Sequence, residues 1–176
     1  MSDLAGALRF GLSRLWFGVR DRFVPPARVL EEARIELGAS VLDFGCGPGS
    51  YALEAARLVG DGGRVYAADV EPRAVARVRA AAAEKGLGNL RVILTDCATG
   101  LEDESIDVAL LYDACHDLAE PQKVLRELHR VLKPGGVLSF SDHHMQEEAI
   151  LAQVTGSGLF KLVRKGRRTY TFRKEA

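Results

Sequence analysis

The chain has 176 residues, 47% hydrophobic and 27% charged, with 24 Lys and Arg balanced by 24 Asp and Glu. That length fits one domain with a sizeable core, and a net charge of zero gives no whole-molecule attraction to nucleic acid or acidic lipid. No apolar run reaches the roughly 18 residues that span a bilayer, and Cys46, Cys97 and Cys115 are too few and too scattered for a disulfide framework, so free thiols in a reducing, cytoplasmic interior are expected.

In chain order, residues 4–23 are expected to form an amphipathic helix, with Leu4, Leu8, Leu12, Leu15, Trp16 and Val19 at helical spacing. Arg9 and Arg14 interrupt the apolar core that a signal peptide would need. Pro25 and Pro26 end that segment, and residues 27–37 predict a second helix capped by Gly38. From there strands and helices alternate. Strands are expected at 41–44, 64–69, 90–95, 107–112 and 137–141, and helices at 50–59, 72–85, 121–132 and 146–155. Lys133-Pro134-Gly135-Gly136 stops the third of these helices. Residues 159–163 and 169–173 read as a hairpin around Lys165-Gly166-Arg167.

Apolar strands alternating with helices imply a Rossmann-like, doubly wound α/β fold with helices on both faces of a mostly parallel sheet. Seven strands are expected, and the closing hairpin is too tight for a parallel crossover, so at least one strand of the hairpin runs antiparallel. Residues 1–26 are expected to form a helical lid segment and 27–176 a single domain. Such sheets bind ligands beyond the carboxyl ends of the strands, where strand order reverses.

The stretch VLDFGCGPGS, residues 41–50, carries Gly45, Gly47 and Gly49 between the first sheet strand and the next helix. Glycine admits positive φ and lets a ligand approach bare backbone, and the helix start beyond offers unpaired N–H groups. Position 50 is Ser50, so the dinucleotide fingerprint GxGxxG is incomplete, and no GxxxxGK[ST] phosphate loop occurs. Asp69 ends the second strand, 20 residues beyond Gly49, where a carboxylate can accept from ribose hydroxyls. Asp96 ends the third, where a carboxylate can accept from an adenine amino group.

VLDFGCGPGS, AADVEP, LTDCATG, DVALLYDACHDL and RVLKPGGVLSF follow in order the motifs of the class I S-adenosylmethionine-dependent methyltransferases. The chain resembles that family over residues 27–174, and most the small members of the ubiquinone/menaquinone-biosynthesis type. The resemblance implies S-adenosylmethionine as cofactor, with S-adenosylhomocysteine as product. It implies that Asp43, Gly45, Cys46, Gly47 and Gly49 form the loop at the methionine part of the cofactor. It places Asp69 on the ribose, Val70 against the adenine ring, and Asp96 with Cys97 at the adenine amino group. It also implies seven strands, the last antiparallel.

The acceptor's side is expected at the mouth of the fourth and fifth strands. A hydroxyl or protonated amine that takes a methyl must lose a proton. In Tyr112-Asp113-Ala114-Cys115-His116-Asp117, His116 is the candidate base because imidazole titrates near neutrality. A helix-start histidine bonded to backbone is the structural alternative. Tyr112 is the second catalytic candidate, expected either to line the substrate cavity or to sit in the core. Asp142-His143-His144 follows the fifth strand, and one of the three could face the pocket. Asp113, Asp142 and His143 lie where catechol-type members place magnesium, but the Asp-Asn pair of those enzymes is missing, so no metal is expected. Arsenite methyltransferases carry further cysteines that this chain lacks.

Trp16, Phe17 and Phe23 would form an apolar lid, with Arg20 and Arg22 available to an acidic group. A small molecule is the expected acceptor, and a homodimer is left open. Two other readings remain. Residues 161–174 hold seven Lys and Arg and no acid, which an RNA or protein methyltransferase could use, although nucleic acid is not the expected partner. A non-catalytic cofactor-binding subunit is the other, and its expected marks, a damaged glycine loop or a lost Asp69, are absent.

Overall fold

The computed structural model describes residues 25–175. The expected lid helix, with Trp16, Phe17 and Phe23, lies outside the described residues.

The first described helix, α1 (Pro26–Ala33), starts on a proline, whose missing N–H is no loss there, and buries Val29, Leu30 and Ala33. It is shorter than the expected 27–37. Arg34 adopts φ 52° and turns its N–H back to the Glu31 carbonyl. Leu37, whose apolar side chain would have extended the helix, is 82% exposed. Gly38, expected as the cap, instead sits at φ 82° in the turn into the sheet, donating to the Val59 carbonyl.

The alternating elements follow: β1 (Ser40–Phe44), α2 (Ser50–Val59), β2 (Arg64–Asp69), α3 (Pro72–Glu84), β3 (Leu90–Leu94), β4 (Ile106–Tyr112), α4 (Pro121–Val131), β5 (Leu132–Ser141), α5 (Glu147–Thr155), β6 (Phe160–Lys165) and β7 (Tyr170–Lys174). They form one sheet in the order β3-β2-β1-β4-β5-β7-β6. β1 to β5 are parallel, and β7 is antiparallel to both of its neighbours.

Residues of β1 and β4 alternate between two buried layers, as the two-residue period of a strand requires. Leu42, Ala109, Leu111, Leu138 and Phe140 face one core with Leu125 and Leu128 of α4. Val41, Val65, Ala67, Val108 and Leu110 face the other with Leu30 of α1 and Ala52 and Ala55 of α2. A fully buried Leu, Val or Phe contributes about 1.5–3 kcal/mol, so both faces hold the sheet.

β5 begins five residues before the expected 137. Ile106 pairs with Leu132 and Val108 with Val137, so the Lys133-Pro134-Gly135-Gly136 segment is accommodated as an irregularity within the strand. Lys133 Nζ reaches Asp107 Oδ1 at 2.7 Å, and the other Asp107 oxygen accepts from the Ser40 N–H at 2.8 Å. Strand order reverses between β1 and β4, which opens a crevice beyond their carboxyl ends.

Candidate active site

The loop after β1 is pinned to its neighbours from three sides. The N–H groups of Gly45 and Cys46 both donate to the Ala68 carbonyl, at 2.8 and 3.0 Å. Gly45, Gly47 and Gly49 all have positive φ, at 75°, 49° and 87°. A Cβ on Gly45 would stand 2.6 Å from Ala114 Cβ, and one on Gly49 would stand 2.5 Å from a methyl of Val78. Two of the three glycines therefore let protein approach protein. Gly45 seats the loop against the segment after β4, and Gly49 seats it against α3.

A cleft of about 420 Å³ opens beside this loop, lined by Phe44, Gly45, Gly47, Asp69, Val70 and the Thr95–Asp96–Cys97 turn. Asp69 holds the loop: its Oδ2 accepts from the Gly47 N–H at 2.8 Å and its Oδ1 from the Glu71 N–H at 2.8 Å. Each oxygen keeps a further lone pair for a ligand. Val70 is 67% exposed at the cleft wall. The Thr95 hydroxyl shapes the next turn, donating to the Ala98 carbonyl and accepting from the Cys97 N–H. The far wall comes from residues 113–124, including Ala114, Leu118 and Lys123.

Of the residues expected at the cofactor, the structure brings Gly45, Gly47, Asp69, Val70, Asp96 and Cys97 into this cleft. Asp43, Cys46 and Gly49 are not among its lining. Asp43 is buried in β1, level with Ala67 and Leu110 of the flanking strands. Cys46 is buried on the side of α1 and α2. Burial, with Asp43 and Asp69 nearby, pushes its thiol far above the ordinary range. Burial also raises Cys97, and pushes Cys115 up to about 11. All three therefore stay protonated near neutrality, and none offers a thiolate nucleophile.

A second cavity, of about 450 Å³, lies between β4, β5 and the β6–β7 turn. Val29, Tyr51, Asp113, Ser141, Asp142, His143, Met145, Ile150, Arg168 and Tyr170 line it. Asp113 lines both cavities, so the two meet there.

Tyr112 and His116 line neither cavity. Tyr112 is a core residue, 4% exposed. Its hydroxyl is 2.6 Å from Ser139 Oγ, its ring meets Tyr51 edge-on at 4.8 Å, and burial drives its phenol far above the ordinary value. His116 is clamped: its N–H and Nδ1 lie 3.1 and 2.9 Å from Asp142 Oδ2, and Nε2 lies 3.5 Å from Asp117. A matching pair runs the other way. The N–H and Nδ1 of His143 lie 3.1 and 2.7 Å from Asp113 Oδ1. Each aspartate ending one strand thus holds a histidine from beyond the other. This crossed arrangement, and the roles of Tyr51, Arg168 and Tyr170 in the cavity, had no local signal in the sequence. Among the described residues no group of three His, Cys, Asp or Glu is arranged to hold a metal.

Comparison with known proteins places this geometry. Residues 35–173 match the family described as a methyltransferase domain. The ubiquinone/menaquinone biosynthesis C-methyltransferase UbiE of Marinomonas sp. (strain MWYL1) is 27% identical over 165 residues, covering 93% of this chain and 61% of that protein. UbiE of Enterobacter sp. (strain 638) is 32% identical over 146 residues, covering 80% of this chain and 53% of that protein. The chain therefore spans little more than half the length of these curated relatives. A SAM dependent methyltransferase from Aquifex aeolicus superposes with a TM-score of 0.77 at 27% identity, covering 88% of this chain and 91% of that one. The [4+2]-cyclase SpnF superposes with a TM-score of 0.70 at 25% identity, covering 82% of this chain and 58% of that one.

Proposed function

Because the chain belongs to the class I S-adenosylmethionine-dependent methyltransferases, we propose that it transfers the sulfonium methyl to a small-molecule acceptor. The observation that carries this reading is the meeting of the two cavities at Asp113: a cofactor and an acceptor held in them would face each other across one residue.

The donor set of the cleft fits the cofactor. Asp69, with its remaining lone pairs, would take the ribose hydroxyls. Exposed Val70 offers an apolar surface to the adenine, and Asp96 with Cys97 an edge for its amino group. The backbone of Gly45 and Gly47 would pass the methionine part, while Asp43, Cys46 and Gly49 shape the loop from behind. When bound, the cofactor supplies an activated methyl whose leaving group departs neutral. What remains for the chain is to hold the acceptor in line with that methyl, exclude water and take up a proton.

The size of the second cavity supports a small acceptor, as does the likeness to UbiE, a C-methyltransferase of ubiquinone/menaquinone biosynthesis. The basic hairpin gives less support to an RNA or protein substrate, because several of its charges are spent internally. Lys165 pairs with Glu147, Lys174 with Glu104, and Arg164 donates to the Glu32 carbonyl and Thr171. Among the described residues no helix is long and apolar enough to cross a membrane.

The test is calorimetry with S-adenosylmethionine, S-adenosylhomocysteine and NAD. The first two are expected to bind and the last not. Asp69→Ala should weaken both by about 1.5–3 kcal/mol, the loss of hydrogen bonds to a charged acceptor. Unchanged affinity in that variant would defeat the ribose assignment.

A further inference from the structure

The second cavity carries two groups of opposite chemistry. The first is the Asp113–His143 pair. A carboxylate only accepts hydrogen bonds, so the 2.7 Å contact makes Nδ1 of His143 the donor, and in the neutral ring Nε2 is then the basic nitrogen. Asp113 is held for this task. It sits at φ 50°, in the left-handed region, with its N–H on the Ser141 carbonyl at 2.8 Å. Strained backbone of this kind gathers where a side chain must be aimed. The His143 side chain is 43% exposed and lines the cavity, whereas His116 in the crossed pair is held outside it.

The second group is Arg168. Its N–H is fixed by the Glu32 carboxylate at 3.1 Å, so its backbone position is set by α1. Its guanidinium has no ion-pair partner among the described residues, yet it lines the cavity. A planar, permanently charged fork in that position is a receptor for a carboxylate or phosphate. The same cavity is lined by Tyr51, Tyr170, Met145 and Ile150, apolar and aromatic surfaces that suit a flat ring.

Building on the methyl-transfer reading, we propose that the acceptor is a small aromatic molecule bearing a hydroxyl and an oxyanion group. Arg168 binds the oxyanion, and His143, oriented by Asp113, takes the hydroxyl proton. As the acceptor oxygen bonds to the methyl carbon, the carbon–sulfur electron pair stays on sulfur. The hydroxyl proton passes to Nε2, and the positive charge lost at the sulfonium reappears on the imidazolium beside Asp113. Asp113 is a positioning residue here. The other charged or titratable groups around His143 are Asp142 and His144 of its own loop and Arg168 across the cavity; the His144 ring lies 3.9 Å away.

The experiment uses the full chain. Calorimetry with S-adenosylhomocysteine reads the methyl-transfer proposal by itself. Titration with 3-hydroxybenzoate, 3-hydroxyphenyl phosphate, phenol and benzoate reads this one. Either hydroxylated anion should bind at least about ten-fold tighter than phenol, and the tighter of the two identifies the oxyanion as carboxylate or phosphate. Arg168→Gln should erase that margin without moving S-adenosylhomocysteine affinity. With labelled S-adenosylmethionine, the hydroxylated anions should be methylated and benzoate should not. His143→Gln should lower kcat by about 10²–10⁴-fold and leave anion binding intact. Asp113→Asn, which keeps the left-handed backbone, should lower kcat by a smaller factor with KM little changed. Anions that bind no better than phenol, a margin that survives Arg168→Gln, or full transfer by His143→Gln would each overturn the proposal.

Discussion

The two cavities that meet at Asp113 are built in different ways. The inner wall of the cofactor-side cleft comes from three turns, carrying Phe44, Gly45 and Gly47, then Asp69 and Val70, then residues 95–97, each at the end of a neighbouring parallel strand. The acceptor-side cavity draws its residues from α1, α2, the ends of β4 and β5, α5 and the turn into β7. The first is local chemistry repeated along one sheet edge. The second exists only once six elements are packed. Changes on the cofactor side should therefore act through the loop itself, and changes on the acceptor side through the contacts that hold its pieces together.

The largest expected effect breaks this division. Gly45 belongs to the cofactor loop but packs on Ala114, in the segment that also carries Asp113. Gly45→Val puts a β-branched side chain at φ 75° and a Cβ 2.6 Å from Ala114 Cβ. We expect a loss of about 3 kcal/mol or more from strain and overpacking, with cofactor affinity and acceptor binding both impaired. Thermal unfolding and S-adenosylhomocysteine titration check this. Ala114→Gly in the same chain should recover part of the loss, and no recovery would mean that the clash is not the cause.

A smaller effect sharpens the division. Glu32 of α1 holds the β6–β7 turn through the N–H of Arg168 and both the N–H and hydroxyl of Thr169. Burial raises its pKa, but hydrogen bonds from Arg168, Thr169 and Arg167 outweigh this and leave it below the ordinary carboxylate value. Its contribution is therefore complete above the unfolded-state pKa and is lost as pH falls through the lower folded one. Glu32→Gln should cost about 1–2 kcal/mol at neutral pH and flatten the acid side of the stability profile. It should weaken acceptor binding while leaving S-adenosylhomocysteine affinity unchanged. Equal damage to both cavities would mean that they are not independently supported.

The smallest effect concerns a residue between the two. Tyr112→Phe removes the hydroxyl that meets Ser139, at a cost of about 1 kcal/mol, and should leave turnover near its original value. A fall of about a hundred-fold would restore the catalytic role that the sequence allowed for Tyr112.

Much of the fold was legible because buried parallel strands and amphipathic helices have distinct periods. The departures fall at ends. α1 stops at Ala33, where Arg34 takes the left-handed conformation, and β5 starts at Leu132, where Lys133 and Asp107 tie the strand across its irregularity. The sequence puts Asp69, Val70, Asp96 and Cys97 at or just beyond strand ends, and the structure brings all four to one cleft. The sequence points to His116 as the base because it is the histidine next to β4, and the structure holds it outside both cavities. The sequence offered no means of choosing between it and His143.

The order of apolar and turn residues thus settled the alternation of elements, the glycine loop and the acids beside it, since each depends on near neighbours in the chain. Tertiary structure alone decided which aspartate meets which histidine. Tyr112 lies level with Ser141 in the paired strands, so Asp113 and Asp142 emerge side by side and each reaches across to the other strand's histidine. A shift of one residue in that register would turn every side chain of β5 to the opposite face, and such a registry is fixed by the packed core, not by any segment read by itself.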